Sequence, residues 1–159
     1  MMKILLTNDD GYDAVGLKAL IKALTPIAKV MVVAPAKNKS ACGHSLTLDK
    51  PLQLISIDDE YYKIDDATPT DCIYLSLGHL FKNGYRPDLV ISGINIGANM
   101  GEDITYSGTA SAAMEAVIHG VPAIAISQVC KDMCRSIVVD WDFELACKVI
   151  LDLISKIKN

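Results

Sequence analysis

Two adjacent carboxylates near the start of the chain are the strongest chemical signal in the sequence. Asp9 and Asp10 follow the apolar residues 4–6 and precede Gly11, so we expect them where a short buried strand ends. Two carboxylates roughly 4 Å apart repel each other by about 4 kcal/mol at a protein surface, and a divalent cation between them removes that repulsion. Oxygen ligands favour Mg²⁺, Mn²⁺ or Ca²⁺ over Zn²⁺. The Asn-Asp-Asp-Gly sequence is also ordinary turn chemistry, so these residues alone leave a metal site and a plain turn both open.

Polar loops after later strands are expected to lie beside these carboxylates. A glycine-rich segment carries Asn95 and Asn99, whose carboxamide oxygens suit a cation or a phosphate. The glycine spacing is not that of a dinucleotide fingerprint, and the alternative is a simple turn. The loop after the second predicted strand holds Ser40 and His44. Ser40 is a candidate by position alone, and for His44 a solvated loop position is favoured over a catalytic one.

A third polar segment, residues 106–113, consists mostly of small side chains and leads into a predicted helix. Free backbone amides at a helix N-terminus, with the hydroxyls of Ser107 and Thr109 beside them, favour an anion such as phosphate. The alternative is a capped helix whose small residues pack closely on the sheet. The two interpretations are compatible with each other.

The elements that would bring these residues together alternate between strands and helices. Strand, helix and strand within the first 34 residues imply a right-handed crossover and a parallel sheet. A small antiparallel excursion follows, and then a helix that Thr68 caps, with Pro69 in its first position and Asp71 near its start. The predicted strands are residues 4–6, 29–34, 46–57, 61–64, 88–92 and 121–127, and the predicted helices are residues 15–24, 69–80, 113–119 and 141–157. The last helix is expected to bury one apolar stripe, formed by Leu145, Val149, Leu153 and Ile157.

Composition predicts one compact domain over residues 1–159. The chain is 51% hydrophobic and 21% charged, which suffices for a sizeable core. A net charge of −4, with no concentration of Lys and Arg, argues against a nucleic acid duplex as partner. No apolar run approaches the ~20 residues that span a bilayer, and the early carboxylates argue against a signal peptide, so we expect a cytoplasmic location and no membrane partner. We expect the five cysteines to be reduced and mostly buried: Cys42, Cys72, Cys130, Cys134 and Cys147.

Five segments together resemble the survival protein SurE family of metal-dependent nucleotidases. They are KILLTNDDGYDAVG, VVAPAKNKSACG, DATPTDC, LVISGINIGANMGEDITYSGTASAAMEA and GVPAIAIS, in the family's order over residues 3–127. The resemblance implies a Rossmann-like three-layer α/β fold with a mostly parallel sheet. It also implies hydrolysis of nucleoside 5′- and 3′-monophosphates, in some members of short polyphosphate, with one divalent metal ion, Mg²⁺ or Mn²⁺ being favoured.

The family's site residues can be carried over where this sequence has the matching residue type. The resemblance implies that the metal ligands are Asp9, Asp10, Ser40 and Asn95. It implies that the phosphate-binding residues are Asn99, Ser107, Gly108 and Thr109. The two carboxylates are also the predicted catalytic residues, whether the proton acceptor or the nucleophile.

One departure from the family concerns length. Members of the family usually continue into another strand and an extended C-terminal arm used in oligomers, whereas this sequence ends at Asn159. We therefore expect the chain to lack that arm, and we expect a homodimer or a larger homo-oligomer. A non-catalytic nucleotide-binding module is the main alternative. A phosphorylatable receiver domain fits poorly, because its phospho-accepting Asp and its Lys are missing from the ends of the later strands.

Overall fold

A computed structural model describes residues 1–80, 86–129 and 141–157. The strands are β1 (Met2–Thr7), β2 (Ala28–Pro35), β3 (Leu54–Asp58), β4 (Tyr61–Ile64), β5 (Leu89–Ile96) and β6 (Ala123–Gln128). The helices are α1 (Val15–Leu24), α2 (Pro69–Leu75), α3 (Gly108–Ile118) and α4 (Glu144–Ile157), with a π-helical turn at Ser76–Leu80 and a 3-10 helix at Gly101–Thr105. The predicted bounds of α1 are confirmed.

The six strands form one sheet in the order β3-β4-β2-β1-β5-β6. All neighbours are parallel except β3 and β4, which confirms a mostly parallel sheet with a small antiparallel excursion. The chain runs from β1 to β2 in one direction and from β5 to β6 in the other. The carboxyl ends of β1 and β5 therefore border the point where the strand order reverses, which is where open α/β sheets bind ligands.

The helices cover both faces of the sheet. Alternate residues of β1 point to opposite sides, so Ile4 and Leu6 pack with α1 and α4, whereas Leu5 packs with α2 and α3. This arrangement is the predicted three-layer fold. No helix within the described ranges is long and apolar enough to cross a bilayer.

Strand β5 is longer than predicted. Its pairing with β6 continues past a register shift between Ser92 and Asn95, so residues 93–96 are strand rather than loop. Gly93 makes this possible: its φ is +137°, and a side chain there would overlap the carbonyl oxygen of Ile126. Glycine and asparagine are rare inside strands, which is why the sequence pattern ended the strand early.

Two other predicted boundaries move for local reasons. Helix α3 begins at Gly108 rather than at residue 113, because the hydroxyl of Ser107 accepts a hydrogen bond from the amide of Ala110 and caps the helix there. The strand predicted from residue 46 begins only at Leu54, where pairing with β4 starts.

The predicted buried stripe of α4 is wrong. Its members are 38–70% exposed, and the helix instead buries a neighbouring stripe, formed by Ala146, Ile150 and Ile154. Both stripes have the same i, i+4 spacing, so periodicity alone did not separate them. Contact with α1 decides the orientation: the thiol of Cys147 lies 3.8 Å from the carbonyl oxygen of Ala19.

The described cysteines are free thiols. Cys72 is fully buried, and Cys42 and Cys147 are half-buried, so burial is less complete than predicted. Burial raises the pKa of all three thiols above its ordinary value. The predictions for Cys130 and Cys134 lie outside the described residues.

The N-terminal cap of α2 can be tested by substitution. The predicted cap is confirmed and forms a capping box: the hydroxyl of Thr68 accepts from the amide of Asp71, and the Asp71 carboxylate accepts from the amide of Thr68. We expect Thr68→Ala to lower the free energy of unfolding by about 1 kcal/mol, because an orphan helix amide loses its acceptor. Thermal unfolding is the measurement, and Thr68→Ser, which retains the hydroxyl, is the matched control. Equal stability of the Ala and Ser variants would contradict the prediction.

Candidate active site

A polar cavity of about 260 Å³ lies at the carboxyl edge of the sheet. It is lined by Asp9, Ser40, Ala41, Asn95, Ile96, Ala98, Asn99, Asp103, Tyr106 and Ser107. Five of the eight predicted site residues therefore line the same cavity. They come from the ends of β1 and β5, the loops after β2 and β5, and the residue that caps α3. The other three predicted residues, Asp10, Gly108 and Thr109, are not among the residues that line the cavity.

Asp9 connects the end of β1 to the start of α3. The residue is 3% exposed, and its carboxylate accepts hydrogen bonds from the hydroxyl of Thr109 at 2.7 Å and from the amide of Thr109 at 3.2 Å. The carbonyl oxygen of Asp9 accepts from the amide of Lys39 at 2.6 Å. Asp9 is thereby fixed by two separate elements while it still faces the cavity.

Thr109 and Gly108, both predicted phosphate contacts, pack against Asp9. Both donors of Thr109 are engaged by Asp9, and Thr109 is fully buried. A Cβ at Gly108 would lie 2.8 Å from the Cβ of Asp9 and 2.9 Å from the thiol of Cys42. The structure therefore gives Thr109 the role of positioning Asp9, and glycine at 108 allows the close approach.

Asp10 has the least satisfied carboxylate of the site. Its Oδ2 is buried and has no hydrogen-bond partner among the described residues. Burial, and after it the charge of Asp9, raises the pKa of Asp10 from 3.8 to about 6, although the backbone amide of Ile96 offsets part of the effect. A buried anionic oxygen without a partner is unfavourable, and a cation is the group that would satisfy it.

Asn38 organises the loop that carries Ser40. Its Oδ1 accepts from the amide of Ser40 at 2.8 Å, and its Nδ2 lies 3.4 Å from Oδ1 of Asp10. Sequence reasoning did not single out Asn38, although an Asn two residues before a Ser is typical of an Asx turn. The side chain of Asn38 thus fixes two of the predicted metal ligands, Asp10 and Ser40, relative to each other.

The two predicted asparagines have their amide nitrogens engaged. Nδ2 of Asn95 donates to the carbonyl of Gly97 at 3.2 Å, and Nδ2 of Asn99 donates to the hydroxyl of Ser127 at 2.7 Å. This orientation leaves the carboxamide oxygens as the available atoms, which is the atom type that a hard cation binds. Ser127, at the end of β6, was not predicted, although its position at a strand end was a usable signal.

His44 contacts helix α3 through Glu115, whereas a solvated loop position is the expectation from sequence. Its Nε2 lies 2.7 Å from Oε2 of Glu115, whose other oxygen lies 3.0 Å from Nε2 of His119. The side chains of both histidines are 29% exposed and that of Glu115 is 8% exposed. This cluster attaches the loop after β2 to helix α3, and His44 does not line the cavity.

The donor set fits a hard divalent cation. Among the described residues there is no group of three or more His, Cys, Asp or Glu side chains placed to hold a metal ion. A cation here would instead be bound by two carboxylates together with hydroxyl and carboxamide oxygens. That mixture suits Mg²⁺, Mn²⁺ or Ca²⁺ and disfavours Zn²⁺.

Comparison with known proteins identifies the family. The family model described as "Survival protein SurE" matches residues 4–159. The proteins named 5′-nucleotidase SurE from Aliarcobacter butzleri and from a Sulfurovum species are 76% and 61% identical to this chain, over 100% and 98% of its length. The crystal structure of the SurE protein from Aquifex aeolicus superimposes with a TM-score of 0.86 at 45% identity and covers 98% of this chain.

These relatives are longer than the present sequence. The chain spans 61% and 58% of the two curated relatives and 59% of the Aquifex aeolicus chain. Within that span the family model, the sequence identities and the similarity in fold identify the same family. The chain belongs to the survival protein SurE family.

Proposed function

We propose that this chain forms the catalytic core of a divalent-metal-dependent phosphatase that hydrolyses nucleoside 5′-monophosphates, with 3′-monophosphates and short polyphosphate as further substrates. The observation that carries the proposal is the buried Oδ2 of Asp10, which has no hydrogen-bond partner among the described residues and follows Asp9 of the polar cavity at the strand-order reversal. The name 5′-nucleotidase, borne by relatives up to 76% identical, supports the choice of substrate.

The proposed metal ligands are Asp9, Asp10, Ser40 and Asn95. A cation bound there would supply positive charge to a phosphoryl oxygen and would lower the pKa of a coordinated water toward neutrality. Thr109 and Asn38 hold the two carboxylates in position before substrate arrives, which reduces the reorganisation needed for reaction.

The proposed phosphate contacts are the hydroxyl of Ser107 and the carboxamide of Asn99, with the amide of Gly108 at the N-terminus of α3. The Ser107 hydroxyl accepts from the amide of Ala110, so its proton is available to a phosphate oxygen. The positive end of the α3 dipole favours the same anion. The carboxylate of Asp9 or Asp10 takes up the proton released on hydrolysis, which makes these two the proposed catalytic residues.

A non-catalytic nucleotide-binding module is the second candidate. Three further statements stay predictions: the one-domain organisation of residues 1–159, assembly as a homodimer or larger homo-oligomer, and a cytoplasmic location.

Neutralising either carboxylate is the direct test of the proposed chemistry. With 5′-AMP and Mn²⁺, we expect Asp9→Asn and Asp10→Asn each to lower kcat/KM by about 100-fold or more. Each substitution removes an anionic ligand of the cation that would stabilise the negative charge of the transition state. Phosphate release is the measurement. Asp13→Asn, an exposed carboxylate in the same loop, is the matched control and should retain wild-type activity. Near-wild-type rates in both test variants would refute the proposal.

Chelation separates the two candidate functions. A metal-dependent phosphatase should stop releasing phosphate from 5′-AMP when EDTA is added and resume when excess Mn²⁺ is restored. A binding module releases none under either condition. Phosphate release that persists unchanged in EDTA would exclude metal dependence.

The raised pKa of Asp10 predicts a pH-dependent effect on stability without metal. Because the pKa is about 6 in the fold and about 3.8 when unfolded, the wild type loses stability as the pH rises from about 3.8 through about 6. Asp10→Asn stays neutral, so we expect its Tm to exceed that of the wild type above about pH 6 and to approach it near pH 4. Thermal unfolding in EDTA is the measurement, with Asp13→Asn as control. A Tm difference that does not vary with pH would contradict this assignment.

Thr109 is expected to act through Asp9. Thr109→Val removes the hydroxyl that donates to Asp9 Oδ1 and should raise the Mn²⁺ concentration for half-maximal activity by about 10- to 100-fold. Thr109→Ser retains the donor and should remain close to wild type. If both variants have the same Mn²⁺ requirement as the wild type, Thr109 has no role in positioning the ligand.

A further inference from the structure

Tyr106 has a hydrogen-bonded backbone and is largely exposed to solvent. Its amide donates to the carbonyl of Asp103 at 3.1 Å, and its carbonyl accepts from the amide of Gly43 at 2.9 Å. The residue nevertheless is 64% exposed and lines the polar cavity. An aromatic ring held at the rim of a polar site offers a large apolar surface at low entropic cost to a ligand.

The size and polarity of the cavity suit the phosphate of a nucleotide but not its nucleoside. A cavity of about 260 Å³ with polar walls suits a cation and a phosphate, but it is below the usual range of about 300 to 1,000 Å³ for organic ligands. The nucleoside must then lie at the rim. Asp103 also lines the cavity, and its negative charge disfavours a phosphate at that wall and favours the uncharged part of the ligand there.

Sequence adjacency places the ring next to the proposed phosphate contact. Tyr106 directly precedes Ser107, and consecutive Cα atoms are about 3.8 Å apart. A phosphate on the Ser107 hydroxyl therefore has its esterified group within reach of the Tyr106 ring.

The other described aromatic side chains near this edge are already engaged. The hydroxyl of Tyr61 donates to the carbonyl of Tyr12, and Nζ of Lys63 lies 5.0 Å from the centre of the Tyr12 ring. Within the part of the chain that the structure describes, Tyr106 is the aromatic residue that lines the cavity.

We propose that the ring of Tyr106 is the stacking surface for the nucleobase and so determines the preference of this site for nucleotides over other phosphomonoesters. The inference rests on the proposed function and adds the residue that recognises the leaving nucleoside. Stacking on an aromatic face tolerates every base, so a broad base preference is expected.

The test compares 5′-AMP with ribose 5-phosphate, which has the same sugar and phosphate but no base. For Tyr106→Ala we expect the KM for 5′-AMP to rise by about 10-fold or more, from the measured size of base-aromatic stacking, while the KM and kcat for ribose 5-phosphate stay unchanged. Tyr106→Phe retains the ring and should keep the wild-type KM for 5′-AMP. Adenosine should inhibit ribose 5-phosphate hydrolysis by the wild type and by Tyr106→Phe, and much less by Tyr106→Ala.

The outcomes separate this inference from the proposed function. Unchanged ribose 5-phosphate kinetics show that Tyr106→Ala is folded, and an equal change in KM for both substrates would overturn the stacking role. If the wild type hydrolyses neither substrate, the proposed function fails. The stacking role is then decided by calorimetric binding of 5′-AMP and ribose 5-phosphate with Mn²⁺. Loss of affinity for 5′-AMP alone in Tyr106→Ala supports the stacking role, and equal affinities in wild type and variant refute it.

Discussion

The pair of hydrogen bonds from Thr109 to Asp9 joins residues that are 100 positions apart in the chain. These bonds fix the end of β1 against the start of α3, and the cavity lies between those two elements and β5. Because Asp9 is 3% exposed, its carboxylate has few other donors and depends on this contact. The orientation of the site's buried charge is therefore a property of the tertiary fold.

Close backbone approaches maintain the same geometry. A Cβ at Gly16 would overlap the carbonyl oxygen of Ile94, and one at Gly93 would overlap that of Ile126. Any side chain at either position would push α1 or β6 away from β5. The crevice keeps its width because these glycines let the three elements lie at backbone distance, in an interior packed nearly as densely as an organic crystal.

Sequence reasoning predicted those features that follow from local rules. The strand-end rule placed Asp9, Asp10 and Asn95 near one another, and capping chemistry predicted the start of α2. The rule failed where tertiary contacts override propensity, as in the continuation of β5 through Gly93 and the burial of Ala146 rather than Leu145 in α4. Nothing in the sequence indicates that Asp9 engages the hydroxyl and the amide of Thr109, a residue predicted to contact phosphate. Ser40 had only a positional argument until the family resemblance supplied its role.

The carboxamide of Asn38 contacts Asp10 with one atom and the backbone of Ser40 with another. A cation that attracts Asp10 therefore also acts on the turn around residues 38–45. Thermodynamic linkage makes the effect reciprocal: whatever factor the ordered turn adds to cation affinity, the cation adds to the population of the ordered turn. If the proposed cation binds Asp10, the rate at which a protease cuts this segment would fall as the cation concentration rises.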